Sequence, residues 1–150
     1  MKKTIGKRSL WVMACLIFAG VMAAEAAVQT KEELIADFIK AVNSDNPQEV
    51  KALIHPRCLE LINDDTQPYF ESLIANDLRH TIPEDARIHY TPFTGQDSLL
   101  FAAMGDFPVR PTEQVTIEYN ESEWSSVSMI RWIVKDGAGW HFVILRPKLK

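Results

Sequence analysis

The sequence predicts an α+β protein in which N-terminal helices pack on a mostly antiparallel sheet. Three observations predict it. Residues 126–147, SVSMIRWIVKDGAGWHFVILRP, place two runs rich in β-branched and aromatic residues on either side of Asp136-Gly137-Ala138-Gly139, the pattern of a hairpin. Residues 31–79 carry apolar side chains at helical spacing between capping signals. Val115, Ile117 and Tyr119 alternate with Thr116 and Glu118, as a half-buried strand does.

The first 26 residues stand apart from the fold. Lys2, Lys3, Lys7 and Arg8 form a positive head, residues 10–24 an apolar run, and Ala24-Glu25-Ala26 a small-residue cleavage site. This is the pattern of a signal peptide, so the chain is expected to be exported, to a periplasm or to the medium. The run is short for a membrane anchor. Residues 27–150 then form a single domain of about 124 residues, enough for one core. The leader takes four basic residues and one acidic one with it, so a formal net charge of −4 becomes −7. A chain this acidic, with no basic cluster, argues against nucleic acid and anionic membrane as partners. Cys15 leaves with the leader and Cys58 stays alone, so no intrachain disulfide forms and the core holds the fold. Leu59, Leu61 and Ile62 follow Cys58, which points to a buried thiol.

Thr30-Lys31-Glu32-Glu33 is a capping box, and Leu34, Ile35, Phe38, Ile39 and Val42 form the stripe of a first helix over 31–43. Asn46-Pro47-Gln48-Glu49 starts a short second helix ending near His55-Pro56, with a further turn within 57–62. A third helix runs from Gln67 or Pro68 to about Arg79 with the stripe Phe70, Leu73, Ile74, Leu78. Residues 87–93, RIHYTPF, read as a strand with Pro92 near its end or on an edge. Residues 95–112 are long for a connection. They are either a short helix plus an edge strand, or a lid or arm. A strand over 114–120 leads into the hairpin, which is apolar on both faces and is expected at the centre of the sheet.

The stretch ELIADFIKAVNSDNPQEVKALIHP, residues 33–56, sets an amphipathic helix, a polar turn, a short helix and a His-Pro stop in quick succession. With the strand VTIEY and the Trp-rich closing hairpin, it resembles the nuclear transport factor 2-like superfamily, over nearly the whole mature chain. The resemblance implies a cone: a strongly curved sheet with the helices in its concavity around a cavity, and a homodimer through the sheet's outer face. That superfamily holds enzymes, binding proteins and assembly modules, so fold alone does not give function. Its isomerases resemble one another in a carboxylate base with a Tyr and a protonated acid that hold an oxyanion. The first helix here offers no Tyr and the closing strands no acid, so that constellation has no match. Hydratase-like members pair Asp with His, for which His80 near Asp77, and His89, are the loose candidates.

No cofactor is expected: there is no Gly-rich phosphate loop and no nucleophile elbow. No metal site is expected either, since His55, His80, His89 and His141 lack ligand spacing. Cys58 with His55 three residues earlier has nothing else to complete a triad. The pocket candidates are Arg131, Trp132 and His141 on the hairpin, and His89 and Tyr90 on the 87–93 strand. A charge inside an apolar strand must be paired or face a wet cavity. Arg131 either forms an anion-recognising pair with His141, or sends its stem over the outer face to solvent or an acid such as Glu118. The turn decides. A three-residue loop centred on Gly137 sets Arg131 opposite Val143 with His141 on the same side, whereas a two-residue turn parts them. Core packing is the default for Trp124, Trp132 and Trp140. The leading expectation is an exported protein with a pocket for a small-molecule ligand or an accessory role, without catalysis. The alternatives are an acid–base enzyme of isomerase or hydratase type using His89 or His141, and a structural dimerisation module.

Overall fold

The computed structural model describes residues 30–137 and 139–148. The expected leader, residues 1–26, lies outside the described residues. The chain runs α1 (Lys31–Asn43), α2 (Pro47–Ala52), α3 (Pro56–Leu59), α4 (Gln67–Asp77), β1 (Arg87–Pro92), α5 (Gly95–Phe101), β2 (Gly105–Asp106), β3 (Glu113–Ser122), β4 (Ser125–Asp136), β5 (Gly139–Val143) and β6 (Arg146–Pro147). Strands β1, β3, β4 and β5 form an open sheet in that order, every neighbouring pair antiparallel. The α+β class is therefore observed. No described helix is long and apolar enough to cross a membrane.

The helix starts follow the local chemistry. Thr30 accepts from the Glu33 N–H while the Glu33 carboxylate takes the Thr30 N–H, both near 3 Å. Asn46 caps α2 through the N–H groups of Gln48 and Glu49, with Pro47 at the first position. Two boundaries differ from expectation. Pro56 opens α3 instead of closing α2, because His55 turns extended and its Nδ1 accepts the Arg57 N–H, acting as an N-cap. α4 ends at Asp77, two residues short of Arg79.

One face of the sheet and the helices share the main core. Leu34, Ile35, Phe38, Ala41 and Val42 of α1 and Val50 of α2 are buried with Val115, Ile117, Met129, Ile133 and Phe142. The Phe38 and Phe142 rings meet edge to face at 5.1 Å. A second cluster packs Val134 and Val143, on the opposite sheet face, with Ile54 and Cys58, and Trp132 and Phe107 border it. The β4–β5 end of the hairpin is thus covered on both faces, whereas Ile130, earlier on the outer face of β4, is exposed (46%), short of the cover its sequence predicts. It is not the sheet's centre, however. β3 and β4 occupy the middle and β5 is the last strand. The free edge of β5 is occupied by the chain after α2: the His55 N–H donates to the Phe142 carbonyl and the Phe142 N–H to the Leu53 carbonyl, both 2.9 Å.

The long connection resolves into α5 and β2. Its strand pairs with β6 at the chain's end rather than with the sheet. Phe101 and Phe107 lie against Trp132, with ring centroids 4.9 and 5.1 Å away. A Cβ on Gly105 would collide with the Arg146 carbonyl, so this crossing requires glycine.

Candidate functional site

The register of the closing hairpin fixes the site. Val134 opposes His141 and Asp136 opposes Gly139, so two residues separate the strands and Gly137 takes a φ of +55°. With that parity, Arg131 shares the face of Ile133 and Phe142, toward α1. His141 shares the face of Val134 and Trp132, away from it. Arg131 and His141 therefore do not form a pair, which corrects the anion-recognition reading. The alternative path toward Glu118 is also not taken.

Arg131 instead reaches α4. Its guanidinium forms an ion pair with Asp77, and Nη1 donates to the Ile130 carbonyl at 2.6 Å. The Phe38 ring lies 5.7 Å from the guanidinium carbon. Arg131 is about a quarter exposed (26%) and the Asp77 side chain 10%. Burial pushes the Arg131 pKa down to about 10, which still leaves it charged near neutral pH.

This pair sits in the wall of a cavity of about 90 Å³ between α1, α2, α4 and the β4–β5 end of the sheet. The rest of the wall is apolar, chiefly Phe38, Leu73, Ile74, Phe142 and Ile144, with Tyr69 the main further polar side chain. Burial raises the Tyr69 hydroxyl above its ordinary pKa. α4 supplies Tyr69, Leu73 and Asp77 from one face, because residues four apart line up along a helix.

Of the five residues singled out from sequence, Arg131 and Trp132 border this cavity. Trp132 does so along its strand, while its ring lies with Phe101 and Phe107 on the other face, and its indole N–H has no hydrogen-bond partner among the described residues. His141 sits beside His55, ring centroids 5.4 Å apart. Burial, then the His55 ring, lower its pKa, partly offset by Asp136. His89 is exposed on the far face of β1, 3.8 Å from Glu118. Tyr90 faces the helices under the Lys31 ammonium, 4.4 Å from its ring centroid. Burial, then Glu32 and Glu113, push its pKa up to about 12. Lys31 also bonds Glu113 at 2.6 Å, tying α1 to β3.

His80, His55 and Cys58 are engaged elsewhere. The suspected His80–Asp77 pair does not form: His80 Nδ1 meets the Tyr119 hydroxyl at 3.0 Å, and Asp77 meets Arg131. His55 is buried with both nitrogens used. Since Nδ1 accepts from Arg57, Nε2 carries the proton and donates to Asp136 at 2.8 Å. Cys58 is fully buried, its thiol pKa raised by burial, and its Sγ lies 3.9 Å from the Ile144 carbonyl rather than against His55. Among the described residues no group of three His, Cys, Asp or Glu could hold a metal.

The residue that sequence reading missed is Asp77 as a partner of Arg131. Its signal was present: Asp77 follows Leu73 by four and Ile74 by three, a carboxylate on the apolar stripe of its helix. No protein family, curated protein or solved structure matches the chain.

Proposed function

We propose that this protein is an exported member of the nuclear transport factor 2-like superfamily that binds a small ligand between its helices and its sheet, as a binding or accessory protein without catalysis. The cavity carries this reading: apolar walls interrupted by one partly buried ion pair. Ligand sites have this makeup, mostly apolar surface with few, fixed polar groups. Its volume, about 90 Å³, is below the several hundred Å³ of sites for drug-sized molecules. The ligand is therefore small, or enters as α4 shifts outward. α4 is suited to such movement, since it buries just Phe70 and Asp77.

Support for the family comes from the succession of helices ahead of an antiparallel sheet and from α1 packed on one sheet face. In a cone of this kind the second face is free for a homodimer. Here that face carries His89, Thr116, Glu118, Ser128 and Ile130, with the β4–β5 end beneath Phe107. Export rests on residues 1–26. The experiment is native mass spectrometry of the mature protein recovered from its own compartment. Binding predicts a mass excess over the bare chain. A bare chain that also shows no shift in melting temperature across a small-molecule library contradicts it.

A further inference from the structure

The charges in the cavity wall restrict what it can hold. We propose that the cavity takes a small neutral molecule with an apolar body and one polar head that both donates and accepts a hydrogen bond, such as a primary amide or an alcohol. This rests on the ligand-binding reading and names the ligand class for that same site.

Asp77 and Arg131 are the charged residues lining the cavity; they are opposite in sign and in contact. The wall is therefore formally neutral. An anionic ligand can accept from the guanidinium's remaining N–H groups, but it sets a second negative charge beside the Asp77 carboxylate, whose side chain is 10% exposed, with one cation to serve both. An excess charge in such a wall is disfavoured. An ammonium ligand does the reverse, setting itself and the guanidinium beside the Phe38 ring against one carboxylate. A neutral head breaks nothing. A guanidinium has five N–H donors. One is engaged by the Ile130 carbonyl and one faces Asp77, so others remain for a ligand acceptor. The Asp77 carboxylate, an acceptor with two oxygens, takes the ligand's donor. A hydrocarbon without a head would leave these groups unserved, and a larger polar ligand would leave its own groups unpaired against Leu73, Ile74, Phe142 and Ile144. Size sets the second limit. A cavity of about 150 Å³ holds benzene, and this one is about 90 Å³, so the enclosed part is a head and a few carbons.

The test uses three probes with one four-carbon body: butanamide, butanoate and butylammonium. Each is titrated at pH 7 into the mature protein and into Asp77→Asn, with backbone amide shifts of β4 and β5 as the readout. The amide is expected to bind the native protein at least tenfold tighter than either ion. In Asp77→Asn the guanidinium has lost its counter-charge, so butanoate gains at least tenfold over its native affinity. Tightest native binding by butanoate or butylammonium overturns the ligand class and leaves ligand binding standing. No binding by any probe to either protein overturns both. If Asp77→Asn does not fold, the native ranking decides the class. Leu73→Trp, which fills the cavity, must then abolish amide binding, and undiminished binding places the amide elsewhere and overturns the proposal.

Discussion

The Asp77–Arg131 pair supports a double-mutant cycle whose size follows from its surroundings. Asp77→Leu leaves the guanidinium in an apolar wall without a counter-charge. Breaking a buried pair by removing one partner costs about 3–5 kcal/mol. Arg131 keeps about a quarter of its side chain in water (26%), so part of its solvation survives. The loss should then fall just below that range, about 2–3 kcal/mol. Arg131→Met leaves the more deeply buried Asp77 unpaired and should cost about 3 kcal/mol or more. The double variant places Leu against Met between Phe38 and Leu73, with neither charge left to desolvate. It should lie within about 1 kcal/mol of the native protein, since apolar replacements of buried pairs are often neutral. The coupling energy is then at least about 4 kcal/mol. Urea unfolding followed by tryptophan fluorescence measures all four proteins. Additive losses, with coupling below about 0.5 kcal/mol, would show that the pair is not desolvated and refute the reasoning.

Other expected outcomes follow from separate parts of the fold. His141 has a depressed pKa in the folded state, so the unfolded chain takes up its proton first as pH falls. Stability should be level in this respect above the ordinary value of 6.5 and decline as pH falls below it, and His141→Gln should flatten that slope in urea melts at pH 5–7. Gly105→Ala drives a methyl into the Arg146 carbonyl, and hydrogen exchange should show β2 and β6 deprotected, with a stability loss of about 1–3 kcal/mol. Cys58 should be inert to a thiol reagent in the native protein and react stoichiometrically in denaturant; rapid native labelling would contradict its burial.

Much of the fold was legible because its signals are local. The Thr30–Glu33 box, the Asn46-Pro47 start and the alternation in β3 each depend on a few adjacent residues, and each element formed where they indicate. What escaped was set by distant partners. Whether Arg131 faces the helices depends on one residue of turn length, since the side-chain period along a strand is two. The sequence around Asp136-Gly137 permits both turns. The hairpin's doubly apolar runs indicated cover on both faces, which Phe101, Phe107 and Cys58 supply at the Trp132–Val134 end but not at Ile130, and face cover says nothing of edges, so β5 could be last in the sheet. Residues 95–112 could not be assigned because β2 pairs with residues some forty positions away. The site was half legible. Arg131 stood out as a charge within an apolar run, whereas Asp77 looked like the polar end of a helix until its spacing from Leu73 and Ile74 was considered.

The most direct test of ligand binding between the helices and the sheet is native mass spectrometry on two forms of the protein purified from its native host. One is the native sequence; the other is Leu73→Trp, in which an indole fills the space beside Arg131. Binding in this cavity predicts a retained small mass on the native protein that is lost from the variant, with both chains folded by circular dichroism. The same mass retained on both would place the ligand elsewhere, and bare chains in both would contradict the binding function itself.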